Sequence, residues 1–209
     1  MKKEMTVTYE VDNGLYVNIT NRCTNRCEFC IRNNGDGAYG SNSLWLKREP
    51  TVEEIVDSIF SRDVKSYSEL VFCGYGEPTV RLADMCSVAA AVKERYPSLQ
   101  IRVNTNGHAS LINGEGAEKM FEGKIDVVSI SLNTPSPEKY EKICHPVYKE
   151  KAFPALIDFA KNVKNYVQKT LFSVVREALT EEELSECYKI AESIGIPLRV
   201  RDYISPDAE

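Results

Sequence analysis

Histidine is scarce in this sequence: of 209 residues only His108 and His145 are histidines, and neither stands at the spacing of a zinc finger. Long apolar runs are missing too. The start, "MKKEMTVTYE", has two lysines with no hydrophobic stretch behind them. Neither a secretory signal nor a membrane anchor is therefore expected, and a cytoplasmic location with no membrane partner follows. Basic excess is absent: 26 Lys and Arg stand against 31 Asp and Glu, a formal net charge of -5. A protein that coats nucleic acid by neutralising phosphates is thereby disfavoured. There is no low-complexity tract, no repeat at solenoid periods and no linker that would separate a second domain.

What remains is a hydrophobic content of 43% and a charged content of 27%, those of one globular α/β domain spanning 1–209. Six short, β-branched runs read as strands: 15–20 "LYVNIT", 69–74 "ELVFCG", 100–104 "QIRVN", 126–132 "DVVSISL", 170–175 "TLFSVV" and 197–203 "PLRVRDY". Helical patterns lie between them. Thr51 with Glu54 and Thr180 with Glu183 form capping boxes ahead of apolar stripes. Further helices are expected at 82–96, 116–121, 137–143 and 153–166. Repeated βα units imply parallel strands, in an open doubly wound sheet or a curved, incomplete barrel. Six units are too few for a closed eight-stranded barrel. Residues 1–14 read as the first strand of a hairpin turning at Asp12, Asn13 and Gly14.

Cysteine, by contrast, is concentrated. Cys23, Cys27 and Cys30 fall within "NITNRCTNRCEFCIRNNGDG". Their spacing suits one face of a buried helix, but the Asn, Arg and Thr around them are too polar for a core stripe. They also follow directly on a strand end, where βα folds place active-site loops. Zinc would want a fourth ligand nearby, whereas an iron-sulfur cluster can use three thiolates and leave one iron open. Cluster, zinc and non-metal readings all remain at this point.

The segment Cys23-Thr-Asn-Arg-Cys27-Glu-Phe-Cys30 resembles the CxxxCxxC signature of radical S-adenosylmethionine (SAM) enzymes, including the aromatic Phe29 before the last cysteine. The resemblance implies a partial (β/α)6 barrel of the radical SAM type with a short N-terminal β-hairpin. It implies a [4Fe-4S] cluster held by Cys23, Cys27 and Cys30, with SAM chelating the open iron. It also implies a low-potential electron donor such as flavodoxin or ferredoxin, and reductive cleavage of SAM to a 5'-deoxyadenosyl radical that takes a hydrogen from a small-molecule or peptide substrate. Residues 21–50 would be the cluster-binding loop and a long mobile lid, rimmed by Arg26, Arg32, Lys47 and Arg48, with Trp45 as an anchor for the lid or a ligand.

A second set of residues supports the likeness without using the cysteines. In "FCGYGEPTV", Gly74, Gly76 and Glu77 look like the family's glycine-rich turn, where backbone carbonyls approach the methionine ammonium and a carboxylate orients it. By resemblance Asn104 in "VNTNGH" faces the SAM cleft. Ser129, Ser131 and Asn133 alternate along one side of the fourth strand, so Ser131 and Asn133 are candidates for the ribose hydroxyls. The fifth strand departs from the family: it lacks the second glycine motif, and only Arg176 at its end is available for the SAM carboxylate, the rival being a surface pair with the acidic "TEEE". Cys73, Cys86, Cys144 and Cys187 read as buried residues, with Cys73 and Cys144 also candidates for approaching the substrate.

The sequence further resembles a small subgroup whose genes lie beside TatD-family hydrolases, which supplies no substrate. Two rivals stand beside this reading: an activase of glycyl-radical enzymes, and a non-catalytic iron-sulfur or zinc-binding module. The latter has no need of the glycine turn or the polar strand ends.

Overall fold

The computed structural model describes residues 5–202. Strands β1 (Thr8–Val11) and β2 (Gly14–Val17) form the N-terminal hairpin. They turn through Asp12, whose φ of 50° is the left-handed conformation that Asp tolerates. Parallel strands follow as β3 (Glu69–Phe72), β4 (Gln100–Thr105), β5 (Val127–Ser131), β6 (Lys169–Val175) and β7 (Leu198–Arg201). Strand order equals chain order, with β1 antiparallel at one edge and β7 at the other. The six parallel strands β2–β7 make the incomplete barrel expected from the βα repeats. Residue 203, included in the expected last strand, lies outside the described residues.

The helices are α1 (Val52–Phe60), α2 (Leu82–Arg95), α3 (Ala109–Asn113), α4 (Pro137–Cys144), α5 (Ala152–Val163) and α6 (Glu181–Ile194). Both capping boxes form as expected, with the threonine hydroxyl and glutamate carboxylate exchanging hydrogen bonds with backbone amides. The expected helix at 116–121 is a 3-10 turn, Ala117–Phe121.

Alternation along each strand divides the molecule. Leu70 and Phe72 of β3, Ile101 and Val103 of β4, Val128 and Ile130 of β5, and Phe172 and Val174 of β6 join the apolar faces of α1, α2, α5 and α6 in one buried core. The alternate residues Arg102, Asn104, Ser129, Ser131, Ser173 and Val175 line a cleft on the other face.

One buried charge locks the sheet below that cleft. Asp126 accepts from Lys93 Nζ at 2.6 Å, from the Ile101 amide at 2.7 Å and from Gln168 Nε2 at 3.2 Å, tying α2, β4 and β5 together. Asp126→Ala leaves an ammonium and an amide without their acceptor. It is expected to cost about 3 kcal/mol, read as a lower urea midpoint with an unchanged slope.

Candidate functional site

The site is built on the loop after β2. Its amides dock onto the free carbonyls at the end of α4: Arg26 N donates to Cys144 O and Glu28 N to Ile143 O, both at 2.9 Å, while Val147 N returns a bond to Thr24 O. A buried polar network holds it from the other side. The Thr24 hydroxyl meets His108 Nδ1 at 3.0 Å and accepts from Asn106 Nδ2 at 2.8 Å; Asn25 Nδ2 donates to the Tyr140 hydroxyl at 3.0 Å, and that hydroxyl meets His108 Nε2 at 3.3 Å. The backbone of the loop is therefore fixed independently of its thiols.

Burial holds His108 far below its ordinary range, at about 4, so it is neutral at pH 7. The unfolded chain takes up a proton as pH falls through about 6.5, and the native imidazole does not until about 4. Stability is therefore unaffected above pH 6.5 and is lost on acidification across that window, by about 3 kcal/mol at most. A His108→Gln variant is expected to flatten this part of the stability profile in denaturant titrations between pH 7 and pH 4.

Cys23, Cys27 and Cys30 line the same cleft. Burial, followed by the charge of Glu77, pushes the Cys23 thiol up to about 12. Cys27 is raised first by its hydrogen bond with Cys144 and then by burial, and Cys30 is raised by burial. All three are protonated at neutral pH, so binding iron must displace protons. Cys144 is fully buried, receives Asn133 Nδ2 at 3.5 Å and lies against Cys27, outside the cleft lining.

The glycine turn after β3 forms the facing wall. A Cβ on Gly74 would strike Asn18 Oδ1, and one on Gly76 would strike the carbonyl oxygens of Thr20 and Arg22. The two glycines thus let the turn pass against β2 and the start of the cysteine loop, a contact sealed by the bond from Glu77 N to Arg22 O at 2.8 Å. Glu77 is more thoroughly engaged than its sequence setting suggests. Its Oε1 accepts from Thr79 N and from the hydroxyls of Thr79 and Thr105, and its Oε2 accepts from Asn106 N. Burial raises its carboxyl above the usual range against the opposing effect of those four bonds. Its first duty is to join the glycine turn to the end of β4.

Of the expected site residues, the structure brings Phe29, Gly74, Gly76, Glu77, Asn104, Ser131 and Asn133 to the cleft with the three cysteines. Asn133 adopts φ 64°, a left-handed conformation that lets the chain turn as it leaves β5. Arg176 is not brought there. The chain enters a 3-10 turn at Arg176–Ala178 as soon as β6 ends, and the guanidinium pairs with Glu181 and donates to Leu179 O at 3.0 Å. The surface pair offered as its rival role is the one observed.

The lid is packed down. Leu44 joins Tyr9, Ala38 and Tyr75 in a small apolar cluster, and its carbonyl accepts from Asn18 Nδ2 at 2.7 Å. The Tyr75 hydroxyl donates to the carbonyls of Gly35 and Gly37. Trp45 packs edge-on against Tyr75 with centroids 5.0 Å apart. The expected basic rim is largely spent: Arg48 pairs with Glu54, and Arg32 turns inward toward the carbonyls of Asn25 and Tyr75. Cleft residues that the sequence did not single out include Tyr9, Tyr16, Tyr39, Arg102, Arg199 and Arg201.

The cleft has a volume of about 260 Å³. Among the described residues, no three His, Cys, Asp or Glu side chains converge closely enough to hold a single metal ion. Thiolates around one zinc sit about 2.3 Å from it. Three thiols lining one cleft can each give a thiolate to a separate iron of a cube. Asn25 Oδ1 and Asn133 Oδ1 are buried acceptors without a donor among the described residues. The residues fit a [4Fe-4S] cluster with SAM beside it.

Comparisons agree with that donor set. A probable GTP 3',8-cyclase of Methanocaldococcus jannaschii is 32% identical over 130 residues, covering 62% of this chain and 39% of the relative. The chain thus spans well under half of that relative's length. Among solved structures, SuiB of Streptococcus suis bound to its precursor peptide SuiA superposes with a TM-score of 0.69 at 16% identity, over 94% of this chain and 40% of SuiB. The same protein bound to S-adenosylmethionine gives 0.65 at 17% identity, over 93% of this chain and 39% of SuiB. These structures share the fold. The family model described as the radical SAM superfamily matches residues 17–191, from the last residue of β2 into α6, taking in the cysteine loop, the glycine turn and the ends of β4 and β5, and the chain belongs to that superfamily.

Proposed function

We propose that Cys23, Cys27 and Cys30 hold a [4Fe-4S] cluster in this cleft and that Gly74, Gly76, Glu77, Asn104, Ser131 and Asn133 seat SAM beside it. The observation that carries the reading is that the three thiols, the glycine turn and the polar ends of β4 and β5 line one cleft. When bound, the cluster and SAM supply reductive cleavage to methionine and a 5'-deoxyadenosyl radical, which removes a hydrogen atom from substrate.

The chain's own residues do the rest. The backbone of the glycine turn comes close to the methionine end because neither Gly74 nor Gly76 carries a Cβ, and Glu77 keeps that turn in register with β4. Ser131 and Asn133 offer hydroxyl and amide groups to the nucleoside. Phe29, partly buried between Glu28 and Cys30, shields the cysteine loop from water. The packed lid lines one side of the cleft with Ala38, Tyr39 and Leu44, which limits the access of solvent to a radical.

A small molecule as substrate is in keeping with the GTP 3',8-cyclase named among the relatives. A low-potential donor such as flavodoxin or ferredoxin supplies the electron. The subgroup likeness to TatD-associated proteins adds no substrate. Anaerobic protein reconstituted with iron and sulfide, reduced with dithionite and given SAM, is expected to produce 5'-deoxyadenosine and methionine in equal amounts. Absence of both products from protein with a full iron and sulfide complement overturns the proposal.

A further inference from the structure

We propose that the β7 wall of the cleft is an oxyanion subsite in which Arg199 and Arg201 hold a phosphate or carboxylate group of the substrate. This rests on the reading of the cleft given above and names the substrate's chemistry.

Arg199 and Arg201 stand two residues apart on β7 and both line the cleft, while the alternate residues Leu198 and Val200 pack against the core on the other face. The arginines therefore stand on the cleft side of the strand, Arg199 exposed at the mouth and Arg201 half-buried. Neither makes an ion pair with any described residue, in a chain that carries a net charge of -5. The other guanidiniums near the cleft are spent. Arg102 is clamped by both carboxylate oxygens of Glu69 at 2.6 and 3.0 Å, and Arg32 donates to backbone carbonyls.

Polar groups continue inward from the pair. Arg199 is in register with Ser173 of β6, and Ser173 with Ser131 of β5, so a guanidinium and two hydroxyls form one row across three strands. Tyr39 of the lid, held at φ 53°, lies within the electrostatic reach of both arginines and of Tyr16. The SAM contacts assigned above fall on the turns and ends of β3, β4 and β5, which leaves β7 to the second molecule in the cleft. Two unpaired forks at i and i+2 match the geometry of a group with several equivalent charged oxygens, which arginine binds bidentately.

The test is isothermal titration of reconstituted, SAM-loaded protein with inorganic pyrophosphate and, separately, succinate, in wild type and in Arg199→Gln/Arg201→Gln. Wild type is expected to bind at least one probe, more weakly as salt is raised, and the double variant to lose at least about tenfold in affinity. Tighter pyrophosphate assigns a phosphate-bearing substrate, and tighter succinate a carboxylate. Arg199→Lys/Arg201→Lys is expected to recover part of the binding. The proposal is overturned if wild type binds neither probe, or if the Gln variant binds as wild type does. It is also overturned if SAM affinity falls in parallel with probe affinity, because the arginines then serve the SAM carboxylate. Production of 5'-deoxyadenosine by the wild-type protein is measured in the same samples, so failure of the cleft reading is seen separately.

Discussion

Cys27→Ala protein, reconstituted in parallel with wild type, is expected to release no 5'-deoxyadenosine above background. Loss of partners that merely support a metal ligand costs about 10- to 100-fold in such sites, and loss of a direct ligand should exceed that. The prediction is sharp because the loop does not depend on the thiol for its shape. The amides on either side, of Arg26 and Glu28, are bonded to carbonyls of α4, and Thr24 and Asn25 are held by His108 and Tyr140. In the metal-free proteins circular dichroism and the urea midpoint should stay close to wild type, while on reconstitution the cluster absorbance fails to develop in the variant. Cys187→Ala is the matched control: this cysteine is fully buried on α6, away from the cleft lining, so its loss should cost stability and spare SAM cleavage.

Gly76→Ala is expected to damage the site through its backbone. The added Cβ would meet the carbonyl oxygens of Thr20 and Arg22, and a main-chain carbonyl cannot swing aside as a long side chain can. Relief requires either the turn or the start of the cysteine loop to move, which breaks the bond from Glu77 N to Arg22 O. Overpacking costs about 1–3 kcal/mol, and the lost hydrogen bond about 0.5–1.5. The entropy gained by replacing glycine in the unfolded chain, about 0.4–1 kcal/mol, does not offset them. We expect a lower urea midpoint together with at least about a tenfold loss of SAM affinity in equilibrium dialysis. Unchanged SAM affinity in a folded variant would remove Gly76 from the cradle.

Why some of this was legible in the sequence, and some was not, follows from the range of the interactions. The capping boxes at Thr51 and Thr180, the hairpin at Asp12 and the spacing of the cysteines are local, and local chemistry decided them. Ser131 and Asn133 could be placed on the cleft side because strand alternation is periodic and polar residues on a buried strand are conspicuous. Arg176 was misplaced because the sequence does not say which way a chain turns after a strand: a 3-10 turn carried the guanidinium outward, where Glu181 was within reach.

The lid was expected to be mobile, yet its Leu44 packs with Tyr9 and Tyr75 and is held by the Asn18 amide, residues distant in sequence. Arg199 and Arg201 went unnoticed for a related reason. Charged residues alternating on a terminal strand read as a solvent face until the sheet curls and brings that face into the cleft. The His108 network joins residues up to 115 positions apart, and no local pattern announces it.

The central claim is that three protein thiolates leave one iron open for SAM. It is tested most directly by electron paramagnetic resonance of the anaerobically reconstituted, dithionite-reduced protein before and after SAM is added. The account predicts the spectrum of a reduced [4Fe-4S] cluster that changes when SAM binds and that is missing from Cys27→Ala. A reduced cluster whose spectrum is unmoved by saturating SAM, or a protein that takes up zinc and no iron-sulfur cluster, would contradict it.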